Sequence, residues 1–439
     1  MFYRNLRASL PKIVRGQGCW LYDETGKSYL DAAGGAYVAN LGHGVAEIAD
    51  AMAEQAKTVA YVNGTAFTHE PVEQLAAEVA SLSRVEDGRV LFLCSGSEAV
   101  EAAIKLARQF WVDAERPGKT KIISAAPGYH GATLLALSIS ARQKYRKYFG
   151  EWLLPVRMIP APYPYRCACH GGPPLCPACS GEALENALEA EDPATVAAFV
   201  IEPIGGSSTG ASVPDPGYFK RIREICDSHE VLLIADEVLT GAGRTGAWSA
   251  IEHYGVAPDM QVFGKGLTGG YAPLSAVVVA RRLTDVMAGH AGEPMHAQTF
   301  THHPVSCAAG LAALRVLTRD HLVERCAEFG KLLHARLAKL CELPYVGDVR
   351  GRGLLAGIEL VADKQSRRPL PRKMQVAERL VAAAQDLGLV LWPNIGHADG
   401  VEGDLVLVAP PFVISAGEID ELVSRLRAAM VKVFAENNA

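Results

Sequence analysis

No apolar run in this chain reaches the ~20 residues needed to cross a bilayer, and the opening stretch, MFYRNLRASLPKIVRGQG, lacks the apolar core of a secretory signal. Neither a membrane span nor export is expected, and the cytoplasm is the expected compartment. A charge excess is missing too. Basic and acidic side chains number 43 and 48, a net charge of −5, which leaves no electrostatic footprint for nucleic acid or an anionic membrane. Small molecules are the expected partners. Cysteine is sparse, ten in 439 residues, too few for a disulfide scaffold and compatible with a reducing compartment that keeps thiols free. Four of the ten are nevertheless crowded together. Internal repeats and low-complexity segments are absent. What is present is apolar material, 49% of the 439 residues, enough for one large domain or two to three smaller ones.

From about residue 75, apolar β-rich runs alternate with amphipathic stretches, the pattern of βαβ units. The strands expected are RVLFLC (89–94), KIISA (121–125), AAFVIEPI (197–204), VLLIADEV (231–238), MQVFGK (260–265) and SAVVVA (275–280). Their apolarity is continuous rather than alternating, which suits a mainly parallel sheet covered by helices on both faces. In the last third, GLAALRVL and HLVERCAEFGKLLHARLAKL have helical periodicity, while GLLAGIELV and GDLVLVAPPFVI read as strands of a separate α/β lobe. The natural partner of that lobe is the N-terminal segment, where CWLYDETGKSYLDAAGG resembles a hairpin turning at Glu24 to Gly26. The expected division is residues 1–60 and 313–439 for a small domain, and 61–312 for a large one into which a Cys-rich loop, 163–183, is inserted.

Asp236 and Glu237 end the run VLLIA, and Glu202 ends AFVI. A carboxylate leaving a buried strand needs a pocket or a partner, because burying it alone is costly. Lys265 ends a third strand, so three ionisable groups converge on the edge of the sheet where open α/β proteins bind ligands. After RVLFLC comes SGSEAVEAAIKLARQF, where Ser95, Gly96 and Ser97 open a helix whose free N–H groups and dipole suit a phosphate. The same residues also serve an ordinary capping box, Ser95 with Glu98. An anion cradle, a strand-end aspartate and a strand-end lysine are together what a phosphorylated pyridine aldehyde needs: an anchor, a partner for the ring nitrogen, and an amine for a Schiff base.

Eight motifs in order, YLDAAGGAYVANLGHG, SGSEAVEAAIKLAR, YHGAT, IEPI, ADEVLTGAGRTG, GKGLTGGYAPLSA, TFTHHPVSCAAG and APPFVI, run from about Gly16 to Ile414. Through them the chain resembles the class III aminotransferases, fold-type I pyridoxal phosphate enzymes. That resemblance implies a large domain with a seven-stranded, mainly parallel sheet and a smaller α/β domain built from both termini. It implies that Lys265 carries pyridoxal 5'-phosphate as a Schiff base and then moves a proton, and that Asp236 pairs with the ring nitrogen. Val238 would pack on one ring face and Tyr129 on the other, with His130 beside it and Glu202 in support. Gly96 and Ser97, with Ser95 at the same helix start, would hold the phosphate, and Thr299 would reach it from the neighbouring subunit. The dimer would then be obligatory for activity, with pairing of dimers into tetramers left open.

Two departures qualify the resemblance. Relatives acting on α-amino acids often have an arginine at the position of Leu407, paired with a glutamate at that of Ser207; both halves are missing here. The pocket is therefore expected to favour amine or ω-amino donors, with a keto acid or aldehyde as acceptor, and Tyr37 and Phe67 would line its substrate side. The sequence does not show which arginine meets a carboxylate. The second departure is YPYRCACHGGPPLCPACSGEA, where Cys167, Cys169, Cys176 and Cys179 have metal-ligand spacing, C-x-C-x6-C-x2-C. Four thiolates suit zinc or an iron-sulfur cluster, and the absence of paired C-x2-C knuckles tilts the reading slightly to iron-sulfur. His170 is a less favoured substitute ligand, and the loop is expected to serve stability more than chemistry. The leading reading is a ping-pong aminotransferase. An aminomutase, racemase or decarboxylase on the same fold is the alternative, and a metal-cluster protein using the fold as a scaffold is a third.

Overall fold

The computed structural model describes Leu6 and residues 9–435. Its centre is a seven-stranded sheet in the order Arg89–Leu93, Ser275–Val279, Met260–Phe263, Leu232–Asp236, Val196–Ile201, Lys121–Ala126 and Arg157–Pro160. Ser275–Val279 runs antiparallel to both neighbours, and the remaining pairs are parallel. Every residue of Val196–Ile201 and Leu232–Asp236 is buried, as continuous apolar runs require of strands covered on both faces. All six anticipated strands form. The seventh, Arg157–Pro160, is an edge strand with Arg157 and Pro160 exposed, and four residues between prolines carry too short a pattern to be read from sequence.

The helix Gly96–Asp113 presents Ala99, Ala103, Leu106, Ala107 and Phe110 to the sheet. Its small residues allow close helix-sheet approach. Ser95 caps it, with Oγ accepting from Glu98 N at 3.3 Å, and the Glu98 carboxylate accepts from Cys94 N at 3.0 Å. The Ser95 half of the anticipated capping box forms, while Glu98 reaches the amide of Cys94 rather than that of Ser95.

Two smaller sheets complete the chain. In the first, Ile13–Gln17, Trp20–Asp23 and Ser28–Asp31 are antiparallel, and Leu389–Val390 joins Ser28–Asp31 in parallel, so the two ends of the chain share a sheet. The hairpin turn follows from Asp23, whose carboxylate accepts from the backbone of Thr25 and Lys27 at 2.9 and 3.0 Å, with Gly26 at φ 88°. The second contains Val346–Arg352, Leu355–Asp363, Asp404–Val408 and Trp392–Ile395. Leu407 lies here in an apolar cluster with Tyr37, Leu355 and Leu405.

Glu359, fully buried on the Leu355–Asp363 strand, fastens this sheet to the Cys-rich loop. Its carboxylate accepts from Tyr163 Oη at 2.6 Å and Arg166 Nε at 2.5 Å, and lies 2.8 Å from Arg350 Nη1 and 3.1 Å from His397 Nε2. The loop is held again where Arg166 donates to the carbonyl of Arg367 and Arg367 to that of Tyr165, at 2.9 and 2.6 Å. No helix among the described residues is long and apolar enough to cross a membrane.

Burial alone would raise the pKa of Glu359, but Arg350, His397 and Arg166 overcome it and hold the carboxyl well below the usual range. A depressed carboxyl contributes stability that is complete above its unfolded pKa and is lost as pH falls. Glu359→Gln is expected to cost roughly 3 kcal/mol by stranding buried arginines and to flatten the acid side of the stability profile. Urea denaturation between about pH 2.5 and 7 checks both, since the loss begins below the unfolded value near 4.5, and an unchanged profile would remove Glu359 from this role.

Candidate active site

The parallel strands end on one side of the sheet, and the polar residues that follow them meet there. Asp236 is the last residue of its strand, Val238 lies two positions on, Glu202 directly follows Val196–Ile201, and Lys265 comes two residues after Met260–Phe263. With the helix start at Gly96 and Ser97 and the segment carrying Tyr129 and His130, they line a cavity of about 720 Å³. The opposite wall comes from the C-terminal sheet and its loop: Trp392, Asn394 and His397.

Asp236 is held in place before any ligand arrives. Its Oδ2 lies 2.7 Å from His130 Nδ1 and its Oδ1 accepts from Val238 N at 3.0 Å. Burial would lower the His130 pKa, but the bond and charge of Asp236 raise it above its ordinary value. Glu237 turns the other way, accepting from Thr240 Oγ1, Ala250 N and Ile251 N at 2.9, 2.8 and 2.9 Å. Of the two adjacent carboxylates, Asp236 alone serves the cavity.

Lys265 has a φ of 43°, a left-handed conformation uncommon for a residue with a side chain. It follows Gly264, and its Nζ sits 5.8 Å from the Tyr37 ring centroid. Burial lowers its pKa, against the opposing charges of Asp236 and Glu202. A larger neutral fraction makes the amine a better nucleophile. Glu202 is pushed up to about 7, chiefly by burial, with His130 and Lys265 opposing and Asp236 adding; its oxygens accept from Gly206 N at 3.0 Å and Tyr129 N at 3.4 Å.

The helix start fits an anion. Helical geometry leaves the first N–H groups without intrahelical acceptors. A Cβ on Gly96 would stand 2.6 Å from Val238 Cγ1, and one on Gly131 would stand 2.7 Å from Ser97 Oγ. Both glycines therefore keep the cradle open. Ser97 Oγ accepts from Ala132 N at 3.0 Å, leaving its proton to donate. His130 Nε2 is buried with no hydrogen-bond partner. An unfilled donor set at one end, a fixed carboxylate at the other and an amine between them match the polarity of a phosphorylated pyridine aldehyde.

Three anticipated residues do not line the cavity in the single chain. The Ser95 hydroxyl is occupied as the cap, Phe67 is 69% exposed, and Thr299 lies on the surface beside Phe300, itself 53% exposed. Tyr37 lines it at 5.7 Å from Trp392 between ring centroids. Sequence reading missed Arg142, Trp392, Asn394 and His397. None belongs to a motif, and the segments carrying them reach the cavity only through tertiary packing.

The four cysteines of the loop 163–183 also converge. Their sulfurs all lie within 4.8 Å of one another, with Cys167 to Cys169, Cys169 to Cys176 and Cys179 to Cys167 at 3.4, 3.4 and 3.2 Å. His170 contacts Arg367 instead. The loop is not remote from the cavity, since Tyr163 and Arg166 share Glu359 with His397.

Comparison with known proteins agrees with this geometry. The family model "Aminotransferase class-III" matches residues 3–430. An uncharacterized aminotransferase, YodT, of Bacillus subtilis is 38% identical over 420 residues, covering 95% of this chain and 94% of its own. The beta-alanine–pyruvate aminotransferase of Pseudomonas aeruginosa is 35% identical over 437 residues, 97% and 93% of the two chains. Among solved structures, an (S)-enantioselective omega-transaminase from Thermomicrobium roseum superposes with a TM-score of 0.89 at 36% identity, covering 97% and 93%.

The raised pKa of Glu202 has a consequence for stability. The folded state binds its proton more tightly, so stability falls as pH rises from the unfolded value near 4.5 through about 7. In cofactor-free protein, Glu202→Gln is expected to gain on wild type between pH 5 and 8, by at most roughly 3 kcal/mol. Parallel melting profiles for the two proteins would contradict it.

Proposed function

Because the chain belongs to the class III aminotransferases, pyridoxal phosphate-dependent transaminases of fold-type I, we propose that it moves an amino group from an amine or ω-amino donor to a keto acid or aldehyde, with Lys265 as the catalytic residue. The observation that carries this reading is the meeting of Lys265, the His130-bound Asp236 and the Gly96–Ser97 helix start in one cavity. Bound pyridoxal phosphate supplies a ring that withdraws electrons from the substrate carbon. The residues do the rest. Gly96 and Ser97 take the phosphate, Asp236 holds a proton on the ring nitrogen, and Val238 and Tyr129 enclose the ring. Lys265 would hold the cofactor's aldehyde carbon, and its amine, when free, would give or take the proton at the substrate carbon. The ping-pong cycle uses this set twice.

We place the cofactor-binding domain at 61–312 and the small domain at 1–60 and 313–439. We also take the enzyme to be a cytoplasmic homodimer, a second copy covering the exposed side chains Tyr61, Phe67, Met295 and Phe300 and supplying its own Thr299 to the phosphate. Amine-type donors are supported by the aromatic walls Tyr37 and Trp392 and by the apolar setting of Leu407.

The four-cysteine loop we assign to a single structural metal ion. Zinc-sulfur bonds of ~2.3 Å in a tetrahedron put sulfurs roughly 3.8 Å apart, which agrees with thiols all within 4.8 Å. A four-iron cluster takes one thiolate on each iron and a two-iron cluster takes two on each, and either spreads the full set of four sulfurs further apart than one ion does. This outweighs the spacing argument for iron-sulfur.

Two measurements follow. Purified enzyme is expected to show a visible cofactor band that bleaches with an amine and returns with a keto acid, and Lys265→Ala is expected to abolish both changes; a variant that cycles like wild type would overturn the assignment. Elemental analysis is expected to give about one zinc and little iron per chain, with Cys176→Ser losing the metal and several degrees of Tm but less of its turnover. Iron in excess of zinc, with acid-labile sulfide, would restore the cluster.

A further inference from the structure

We propose that Arg142 is the residue that binds the carboxylate of a short keto acid in this cavity, a specificity role that rests on the transaminase reading. Arg142 lines the cavity with its guanidinium carbon 5.3 Å from the Tyr129 ring centroid. It is held there by neutral acceptors. Nη1 donates to Asn394 Oδ1 at 2.7 Å and Nη2 to Ser207 Oγ at 2.6 Å. Asn394 is oriented for this by its own Nδ2, which donates to the Ser208 carbonyl at 3.3 Å. Both acceptors are at least nine-tenths buried.

These contacts position the guanidinium without neutralising it. Among the described residues no carboxylate lies within ion-pair distance, and Nε is buried with no partner. An arginine keeps its proton in proteins, so the charge stays. The cavity's own acids are otherwise engaged: Asp236 with His130, Glu378 with Arg372, and Glu202 with the amides of Gly206 and Tyr129. Of the five N–H donors of a guanidinium, two are used here. The remaining ones, on Nε and on each Nη, suffice for a planar, bidentate grip on a carboxylate. Arg142 is half-buried, so its charge has lost part of its hydration without gaining an acid, and an anionic substrate offsets that loss on binding.

Other cations serve less well. Lys144 borders the cavity but is exposed to solvent, where its charge is already hydrated. Arg244, buried without an acid in contact, does not border the cavity and donates to the carbonyls of Leu354 and Pro410 at 3.0 and 2.7 Å. Leu407 is apolar core. The pair Ser207 and Asn394 thus holds a cation that comes from a segment, SARQKY, with no sequence signal for the task.

The test compares pyruvate with propanal as acceptors for one amine donor in the holoenzyme, in wild type, Arg142→Gln and Arg142→Lys. The ratio of kcat/KM for pyruvate to that for propanal is expected to fall about 30-fold or more in Arg142→Gln, and less in Arg142→Lys, which keeps the charge but not the fork. An unchanged ratio, or equal losses on both acceptors, overturns the proposal. Propionate, an unreactive carboxylate, is titrated into the same proteins with tryptophan fluorescence as the readout, since Trp392 lines the cavity. Its Kd is expected to weaken about tenfold or more in Arg142→Gln, and an equal Kd in both proteins overturns the assignment. If wild type moves nitrogen from no amine to either acceptor, the transaminase reading fails, while the propionate titration still decides Arg142. Should Arg142→Gln not fold, Arg142→Lys carries both comparisons.

Discussion

The contact between His130 Nδ1 and Asp236 Oδ2, 2.7 Å long and almost wholly buried, settles what the rest of the site can be. A lone carboxylate at the end of an apolar strand would be too costly to keep ionised. Paired with an imidazole that it renders more basic, and accepting from the amide of Val238, it stays fixed and able to meet a cation on its cavity side. Lys265 and Glu202 are then poised around it with shifts in opposite senses, the amine down and the carboxyl up. Both shifts begin with burial. Perturbed groups facing one cavity agree with the proton-moving role proposed for it.

The fold exists to bring those groups together. Parallel strands deliver their polar ends to a single edge, and Gly96 and Gly131 let the helix start and the Tyr129 segment close around it. The C-terminal sheet supplies the facing wall, so the cavity depends on how the two regions are joined. Glu359 is central to that joint. It binds Tyr163 and Arg166 of the Cys-rich loop and stands beside Arg350 and His397, one of which lines the cavity. A metal ion in the loop would stiffen the far end of this network, connecting stability of the loop to the shape of the wall.

Much of this was legible in the sequence because it is local. The six strands are continuous apolar runs, the hairpin at Glu24 to Gly26 is held by Asp23, and Lys265, Asp236 and Glu202 stand where those runs stop. The crowding of four cysteines was readable from spacing alone, but the convergence of their sulfurs within 4.8 Å of one another was not. What escaped was whatever depends on long-range packing. Arg142 meets Asn394 across 252 positions and Ser207 across 65, so no window of sequence contains the contact. Glu359 likewise reads as one more residue of a strand until Tyr163 and Arg166 are brought to it. Phe67 and Thr299 look outward from the single chain, away from the cavity.

The central claim is that one buried lysine at a strand end carries the cofactor. Reducing the holoenzyme with borohydride and mapping the modified peptide by mass spectrometry tests it without reference to any substrate. The account predicts the pyridoxyl label on Lys265 and on no other lysine. A label on a different lysine, or cofactor released intact after reduction, would contradict it.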